Sequence, residues 1–512
     1  MVESPSESAL PQSWQKPKPL LRTLLDSPNP FVKAAELVTT RGLVTKTKAR
    51  RILSLARELA DHPGIDVLSI TDNPGGHAML AADTLGTDLI HRGQEVIIHI
   101  ACKDWNRNAL ESRGWKLASE GFHNVLALSG DYPASGYRGA AAPVFDIDSV
   151  GLLRMYSDMN LGLGESHLGQ TDLFLGCVVS NHKRYESEVI PQYLKLRKKI
   201  ENGARFTINQ IGYDARKDDE LLRWMELNEL RIPVLANVYV LTPRAAQVFN
   251  SGRIPGVVVT DEFLAWAKDR DRAFFLDLAA KQIAIARGNG FAGVYIGGHL
   301  QAEEYEQLFR TADSFAPDDW REFAKEIQFP LQDEFYFFER DPETGLSAVD
   351  RAPRKRGHAT LRYRAGRKLH GLAFEPGAPL FGAGRAVYSA VERGPRPLGK
   401  SLHVLEQAIK VSMFSCRDCG DCSLPDIAYL CPESQCVKNQ RNGPCGGTRD
   451  GKCEVGDKDC IWALAYDRLK FYGEEDAMLG EAAVIKDNSL RGTSAWANTF
   501  LGRDHHSKEA SS

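Results

Sequence analysis

The sequence predicts a (β/α)8 barrel of the TIM type, followed by a small cysteine-rich metal-binding domain. Eight short apolar runs rich in β-branched residues are typical of buried parallel strands. Amphipathic helical patterns separate the runs, which indicates right-handed βαβ units. Eight repeats favour a closed barrel over an open sheet. No Gly-x-Gly-x-x-Gly turn follows the first run, which argues against a dinucleotide-binding fold.

The predicted strands can be taken in chain order. They cover residues 33–38, 66–71, 95–100, 124–128, 172–177, 205–210, 234–240 and 293–297. Helical stripes of apolar residues lie between them. One stripe is Ile52, Leu55, Ala56 and Leu59, and another is Val189, Tyr193, Leu196 and Ile200.

Polar side chains stand at the ends of five predicted strands. They are Glu36, Thr71, His99, Asp131 and Gln210. In a (β/α)8 barrel, the carboxyl ends of the strands form the rim on which active sites are built. The sequence therefore predicts a functional site that collects these groups.

Composition excludes some classes of protein. A formal net charge of -3, with 26% charged residues, gives no reason to expect a nucleic-acid partner. No apolar run is long enough to insert into a membrane, and the first residues lack the basic and apolar blocks of a signal peptide. We therefore expect a cytoplasmic protein.

Shifts in composition predict five segments. They are a flexible N-terminal arm (1–30), the barrel (31–335), a basic connector (336–400), the cysteine-rich metal-binding domain (401–475) and a C-terminal tail (476–512).

Eight of the ten cysteines lie between positions 416 and 460, which in a cytoplasmic chain indicates metal binding rather than disulfides. Two-residue gaps suit an iron–sulfur cluster, but paired thiolates could equally bind zinc. The sets nearest in sequence are Cys416, Cys419, Cys422 and Cys431, then Cys436, Cys445, Cys453 and Cys460. Intertwined pairing stays open. The metal could serve only to fold and dock the extension, or it could serve electron transfer or partner binding.

Four motifs in strand order carry a resemblance. Residues 126–133 read Leu-Ala-Leu-Ser-Gly-Asp-Tyr-Pro, and polar motifs at 69–76, 99–107 and 144–150 accompany them. Over roughly residues 30–315 the chain resembles the methylenetetrahydrofolate reductase family, in its long form with a cysteine-rich C-terminal extension. The resemblance implies a barrel that binds FAD, with FMN as an alternative. It also implies that NAD(P)H is the cosubstrate and that 5,10-methylenetetrahydrofolate and 5-methyltetrahydrofolate are interconverted.

The resemblance also implies roles for particular residues. Glu36 would be the general acid that protonates the leaving folate nitrogen. Asp131 would act in catalysis beside the flavin and the pterin. Thr71 and His99 would contact the flavin, and Gln210 would orient the folate. Asp148, in the 144–150 motif, is a further predicted cofactor contact.

Two other functions are consistent with the same sequence. One is a flavin-free component that holds methyltetrahydrofolate for a methyl-transfer partner. The other is a non-catalytic scaffold subunit that uses the cysteine-rich region as its interaction surface. The sequence is also consistent with a homo-oligomer and with a redox or methyl-transfer partner protein.

Overall fold

A computed structural model of the chain describes residues 18–163, 168–480 and 482–509. The strands are β1 (Val32–Leu37), β2 (Val67–Ile70), β3 (Glu95–Ala101), β4 (Asn124–Leu128), β5 (Ser135–Gly136), β6 (Gly139–Ala140), β7 (Phe174–Val179), β8 (Phe206–Asn209), β9 (Val234–Tyr239), β10 (Gly293–Gly297), β11 (Phe338–Arg340) and β12 (Ser347–Arg351).

The helices alternate with the barrel strands and then continue alone. They are α1 (Leu21–Leu25), α2 (Thr47–Asp61), α3 (Ala82–Ile90), α4 (Arg107–Ser119), α5 (Ser149–Leu161), α6 (Glu186–Glu201), α7 (Ala215–Leu227), α8 (Pro243–Asn250), α9 (Asp261–Trp266), α10 (Arg272–Asn289), α11 (Ala302–Ser314), α12 (Trp320–Glu326), α13 (Leu361–Ala373), α14 (Phe381–Arg393), α15 (Arg396–Phe414), α16 (Pro432–Gln435), α17 (Ile461–Lys470), α18 (Ala495–Phe500) and α19 (His505–Glu509).

The predicted barrel is confirmed. Parallel strands close in the order β1-β10-β9-β8-β7-β4-β3-β2, with β2 pairing back onto β1. Each predicted strand is present, and most ends shift by one or two residues. The largest shift is in the fifth, which begins at Phe174 rather than at 172. The reason is local, because the Leu173 amide donates to the side chain of Asn160 instead of to a neighbouring strand.

The interior of the barrel is filled by side chains and closed at its N-terminal end by α1. Inward residues such as Ile97, Leu126 and Phe206 form one buried cluster with Leu21 and Leu25 of that helix. The predicted arm at 1–30 is therefore structured in its second half, while residues 1–17 lie outside the described part of the chain. A plugged N-terminal end leaves the opposite rim as the open end of the barrel.

The segment predicted as a basic connector contains regular structure. Strands β11 and β12 form a hairpin that packs on α7, where the Ser347 amide donates to the Asp219 carboxylate at 2.9 Å. Helices α13 to α15 follow. Arg354 pairs with Glu186 and Glu475, so part of the basic charge of this segment is used inside the molecule.

The cysteine-rich region lies across the rim of the barrel at β4, β7 and β8. Lys438 donates to the Gly130 carbonyl at 2.8 Å, and Lys183 donates to the Gly446 carbonyl at 2.6 Å. Within the described ranges, no helix combines the length and the apolar character that a membrane crossing requires.

Candidate active site at the barrel rim

A hydrogen-bonded group of four side chains lies inside the barrel on β1, β2, β3 and β10. The Tyr295 hydroxyl donates to the Glu36 carboxylate at 2.8 Å and lies 3.5 Å from His99 Nε2. The same imidazole nitrogen lies 2.8 Å from the Ser69 hydroxyl. In the parallel register Glu36 is opposite Ser69, and Tyr295 is opposite Ala34, two residues before Glu36 on β1.

The electrostatics of this group favour its neutral forms. Glu36 stays partly accessible from the barrel mouth, yet burial raises the pKa of its carboxyl, and the hydrogen bond from Tyr295 only partly opposes this. Burial lowers the pKa of His99 to about 3, so the imidazole is uncharged at neutral pH. A carboxyl with a raised pKa beside a neutral imidazole can hold a proton and release it to a substrate.

Thr71 and Asp131 are held near the rim by contacts between loops. The Thr71 amide donates to the Leu37 carbonyl at 3.1 Å, immediately after β2. Asp131 follows β4 and accepts a 2.7 Å hydrogen bond from the Gly75 amide. Gly76 packs so closely on this loop that an added Cβ would lie 2.2 Å from the Tyr132 carbonyl oxygen. The loops after β2 and β4 therefore form one unit.

Unpartnered polar atoms lie in the loops after β1 and β2. Among the described residues, the Thr39 and Thr40 hydroxyls and His77 Nδ1 are buried without a hydrogen-bond partner. Buried polar atoms in proteins are nearly always paired. These three atoms fit a polar ligand at the rim, such as the flavin that the sequence predicted beside Thr71. Sequence reasoning missed them, although Thr39 directly follows the predicted strand at 33–38.

Gln210 lies on the far side of the rim, just beyond β8. Its side-chain oxygen accepts from the Ile211 amide at 2.9 Å. The amide nitrogen faces Gly256, where an added Cβ would lie 3.1 Å from it and 3.2 Å from the Gly446 carbonyl oxygen. Gln210 is thus next to the cysteine-rich region, and among the described residues its side chain is not hydrogen-bonded to Glu36.

Asp148 lies away from the Glu36 group. One carboxylate oxygen caps α5 by accepting from the amides of Val150 and Gly151. The other accepts from the backbone amides of Arg441 and Asn442, at 3.3 and 2.9 Å. The structure therefore gives Asp148 a place in attaching the extension, and its predicted contact with a flavin stays a prediction.

The eight clustered cysteines fall into two spatial sets. All ten cysteines of the chain are described and all are free thiols. The first set surrounds one small cavity and the second surrounds another; their members are Cys416, Cys419, Cys422 and Cys431, then Cys436, Cys445, Cys453 and Cys460. These are the sets that proximity in sequence favoured, so the intertwined arrangement is not observed.

The spacing of the sulfurs bears on the kind of metal. Tetrahedral zinc with bonds of about 2.3 Å brings its thiolates to about 3.8 Å from one another. Among the described cysteines, no three sulfurs lie within 4.8 Å of one another. An iron–sulfur cluster holds its cysteines farther apart, because several irons and sulfides stand between them.

Nitrogen donors surround the cysteine sulfurs. The Asp418 amide donates to Cys416 at 3.4 Å, Lys410 Nζ lies 3.5 Å from Cys422, and the Gln440 amide lies 3.5 Å from Cys436. Burial raises the pKa of the Cys422 thiol to about 11, and the charge of Lys410 opposes that rise. Such donors stabilise the negative charge of metal-bound thiolates.

The second cysteine set is joined to the barrel rim by its intervening residues. Gln440 accepts hydrogen bonds from the Ser129 hydroxyl at 2.9 Å and from Lys195 Nζ at 3.0 Å. Lys438 connects the Gly130 carbonyl to the Glu454 carboxylate. These contacts place the set beside the loop that carries Asp131.

Two family matches cover part of the barrel and most of the cysteine-rich region. The family described as Methylenetetrahydrofolate reductase matches residues 45–246, and the one described as Methylene-tetrahydrofolate reductase C terminal matches residues 398–489. The chain belongs to the methylenetetrahydrofolate reductase family. The match at 398–489 includes all eight clustered cysteines, so the long form with its cysteine-rich extension is confirmed. No curated protein matches the chain.

Several solved structures are similar to a little over half of this chain. One is an uncharacterized protein from Clostridium thermocellum, described as binding two copies of 5-methyl-5,6,7,8-tetrahydrofolic acid; it is 13% identical over 57% of this chain and 97% of that chain, with a TM-score of 0.42. Another is a 2,3-dimethylmalate lyase, 13% identical over 57% of this chain and 83% of that chain, with a TM-score of 0.34. A dihydropteroate synthetase is 11% identical over 56% of this chain and 94% of that chain, with a TM-score of 0.33.

Proposed function

We propose that this member of the methylenetetrahydrofolate reductase family interconverts 5,10-methylenetetrahydrofolate and 5-methyltetrahydrofolate, with NAD(P)H as the hydride source. The observation that carries the proposal is the position of Glu36. A carboxyl with a raised pKa stands at the open end of a barrel, fixed by Tyr295. Opening a methylene bridge requires a proton on the folate nitrogen that leaves, and a neutral carboxylic acid can supply it.

The surrounding residues prepare Glu36 for this role. The Tyr295 hydroxyl holds one carboxylate oxygen and thereby fixes the direction in which the other can deliver a proton. His99, neutral because burial lowers its pKa, brings no positive charge that would favour ionised Glu36. Asp131 lies at the same rim and supplies a carboxylate for the amino groups of a pterin.

The same rim would hold the flavin, FAD with FMN as the alternative. Thr71 follows β2, His99 lies within β3 and Asp131 lies in the loop after β4, which are three adjacent strands. The unpartnered atoms of Thr39, Thr40 and His77 add polar groups in the loops after β1 and β2. A bound flavin would carry the hydride between the two substrates. The chain would supply position, a proton and electrostatic stabilisation.

The cysteine sets would hold two iron–sulfur clusters. The spread of the sulfurs and the surrounding nitrogen donors support iron–sulfur over zinc. The position of the second set beside residues 129–131 supports a redox role for it, in addition to the docking of the extension.

The first experiment is an absorption spectrum of anaerobically purified protein, followed by denaturation and assay of the released chromophore. We expect a non-covalent flavin and a broad iron–sulfur absorption beneath its bands. Protein that releases no flavin but still binds methyltetrahydrofolate would instead indicate the flavin-free methyl-transfer component. Protein that binds neither flavin nor folate would indicate the scaffold subunit.

A further inference from the structure

A cluster of nitrogen and oxygen donors lies near the end of the chain, outside both cysteine sets. Helix α19 places two adjacent imidazoles against one carboxylate. His505 Nε2 lies 3.1 Å from Asp426 Oδ2, and His506 Nε2 lies 2.7 Å from Asp426 Oδ1. One ligand atom of Asp426, one of His505 and one of His506 all lie within 4.8 Å of one another. Among the described residues, no other group of three or more His, Cys, Asp or Glu side chains is this close.

A second carboxylate orients the first imidazole. His505 Nδ1 lies 2.5 Å from Asp421 Oδ1, which also accepts from the His505 backbone amide at 3.2 Å. Asp421 is fixed in turn by the Asp487 amide, at 2.8 Å. Histidines that bind metals commonly donate their other ring nitrogen to a carboxylate, which turns the free nitrogen towards the ion. His505 shows that arrangement.

We propose that Asp426, His505 and His506 bind one divalent transition-metal ion of the zinc class. Imidazole and carboxylate donors suit such ions, whereas calcium and magnesium prefer oxygen alone. Zinc with bonds of about 2.0–2.1 Å separates tetrahedral ligands by about 3.4 Å. The separations of 2.7 and 3.1 Å between Asp426 and the imidazoles therefore need only small side-chain movements.

The surroundings leave one side of this site open. His505 is 4% exposed, whereas the His506 side chain is 40% exposed. Asp426 and His506 also line a cavity whose other walls include Phe374, Trp496 and Phe500. Three protein ligands with an accessible fourth position are typical of zinc sites that bind water or a small anion, rather than of closed structural sites.

Another account of the same distances is a purely ionic network, in which both imidazoles are protonated and pair with Asp426. The two accounts predict different responses to metal. A metal site takes up an ion with N/O coordination and loses it when a ligand is removed. An ionic network takes up no ion.

The test uses the full chain with its cysteine sets loaded, titrated with Co²⁺ under anaerobic conditions. We expect about one Co²⁺ per chain, with weak visible bands and no thiolate-to-cobalt charge-transfer band. Asp426→Asn and His506→Gln should abolish binding, and Asp421→Asn should weaken it by about 10–100-fold. His403→Gln is the matched control, because His403 pairs with the single carboxylate of Asp418 at 2.9 Å and should leave Co²⁺ binding unchanged.

A second measurement needs no variant and so does not depend on the folding of a mutant. Zinc-edge X-ray absorption of Zn²⁺-loaded wild-type protein should show only nitrogen and oxygen neighbours. Sulfur neighbours, no uptake at micromolar Zn²⁺ or Co²⁺, or equal binding by wild type and His506→Gln would each overturn the proposal.

Discussion

At the scale of single residues, the proposed chemistry depends on the carboxyl group of Glu36 and on the Tyr295 hydroxyl that donates a hydrogen bond to it. Glu36 was identified from its position in an apolar strand. Tyr295 was not, although a hydroxyl-bearing residue in the run 293–297 was a signal that could have been noticed. The hydrogen bond between them joins residues 259 positions apart. The local pattern of either strand cannot predict that contact.

The first prediction concerns Glu36→Gln. We expect reduction of the flavin by NAD(P)H to continue and the folate half-reaction to slow by about 10²–10⁴-fold, because only the second step needs the acid. Anaerobic stopped-flow measurement of each half-reaction separates the two. Glu58→Gln, at an exposed position on α2, is the control and should change neither rate. Equal slowing of both half-reactions by Glu36→Gln would show that Glu36 is structural.

The second prediction concerns Tyr295→Phe and pH. The acid form of Glu36 is needed, so the methylene-opening rate should fall as pH rises through the pKa of Glu36. The Tyr295 hydrogen bond opposes the rise in that pKa, and its removal should therefore move the falling limb to higher pH. Rate–pH profiles of the folate half-reaction measure the shift. If the variant lowers the rate at every pH but leaves the pH of the falling limb unchanged, Tyr295 does not influence the pKa of Glu36.

At the scale of elements, helix α5 connects the barrel to the extension through its first residues. Asp148 caps the helix with one carboxylate oxygen and binds the backbone of residues 441–442 with the other. Its place in the 144–150 motif gave no sign of this second set of contacts, because they involve a segment almost three hundred residues later.

The third prediction concerns Asp148→Asn. The oxygen of the substituted side chain can still cap α5, so the helix should stay folded. Its NH2 group would face the backbone N–H of Asn442, and two donors cannot form a hydrogen bond, so the extension should loosen. Loss of charge-assisted hydrogen bonds of this kind costs about 1.5–3 kcal/mol. Hydrogen exchange over residues 436–460 should accelerate. Asp271→Asn, at the N-cap of α10, is the matched control and should leave that exchange unchanged. Weaker flavin binding with unchanged exchange would support the cofactor role instead.

At the scale of the whole molecule, buried hydrogen bonds join the barrel to the extension. Buried lysines of the barrel meet carbonyls of the extension, as between Lys183 and Gly446, and a lysine of the extension meets the Gly130 carbonyl of the barrel. Separating the extension from the barrel would cost free energy, because each of these buried lysines would lose its hydrogen-bond partners. The second cysteine set is therefore held beside the rim.

The fourth prediction concerns Cys445→Ser. We expect this variant to lose about half of the iron of the wild type, because one of two clusters loses a ligand. Flavin content and flavin reduction by NAD(P)H should be retained in the folded fraction. Iron analysis and absorption spectra provide the measurement. Cys102→Ala, at a buried cysteine outside both sets, is the control and should keep all the iron. Zinc without iron in the wild type would contradict the iron–sulfur assignment.

The sequence by itself determined the barrel, the strands whose ends carry Glu36, Thr71, His99, Asp131 and Gln210, and the clustering of the cysteines. Each follows from local regularities: the alternation of apolar runs, the position of a polar residue at a strand end, or a short spacing between thiols.

Only the tertiary structure decided which of these groups meet. It joined Tyr295 to Glu36, left buried atoms of Thr39, Thr40 and His77 without partners, and placed Asp148 against the extension. It also separated the cysteines into two sets, each around its own small cavity. These outcomes depend on barrel closure and on how the extension docks. Contacts between distant segments arise from the packing of whole elements, which no local pattern in the chain encodes.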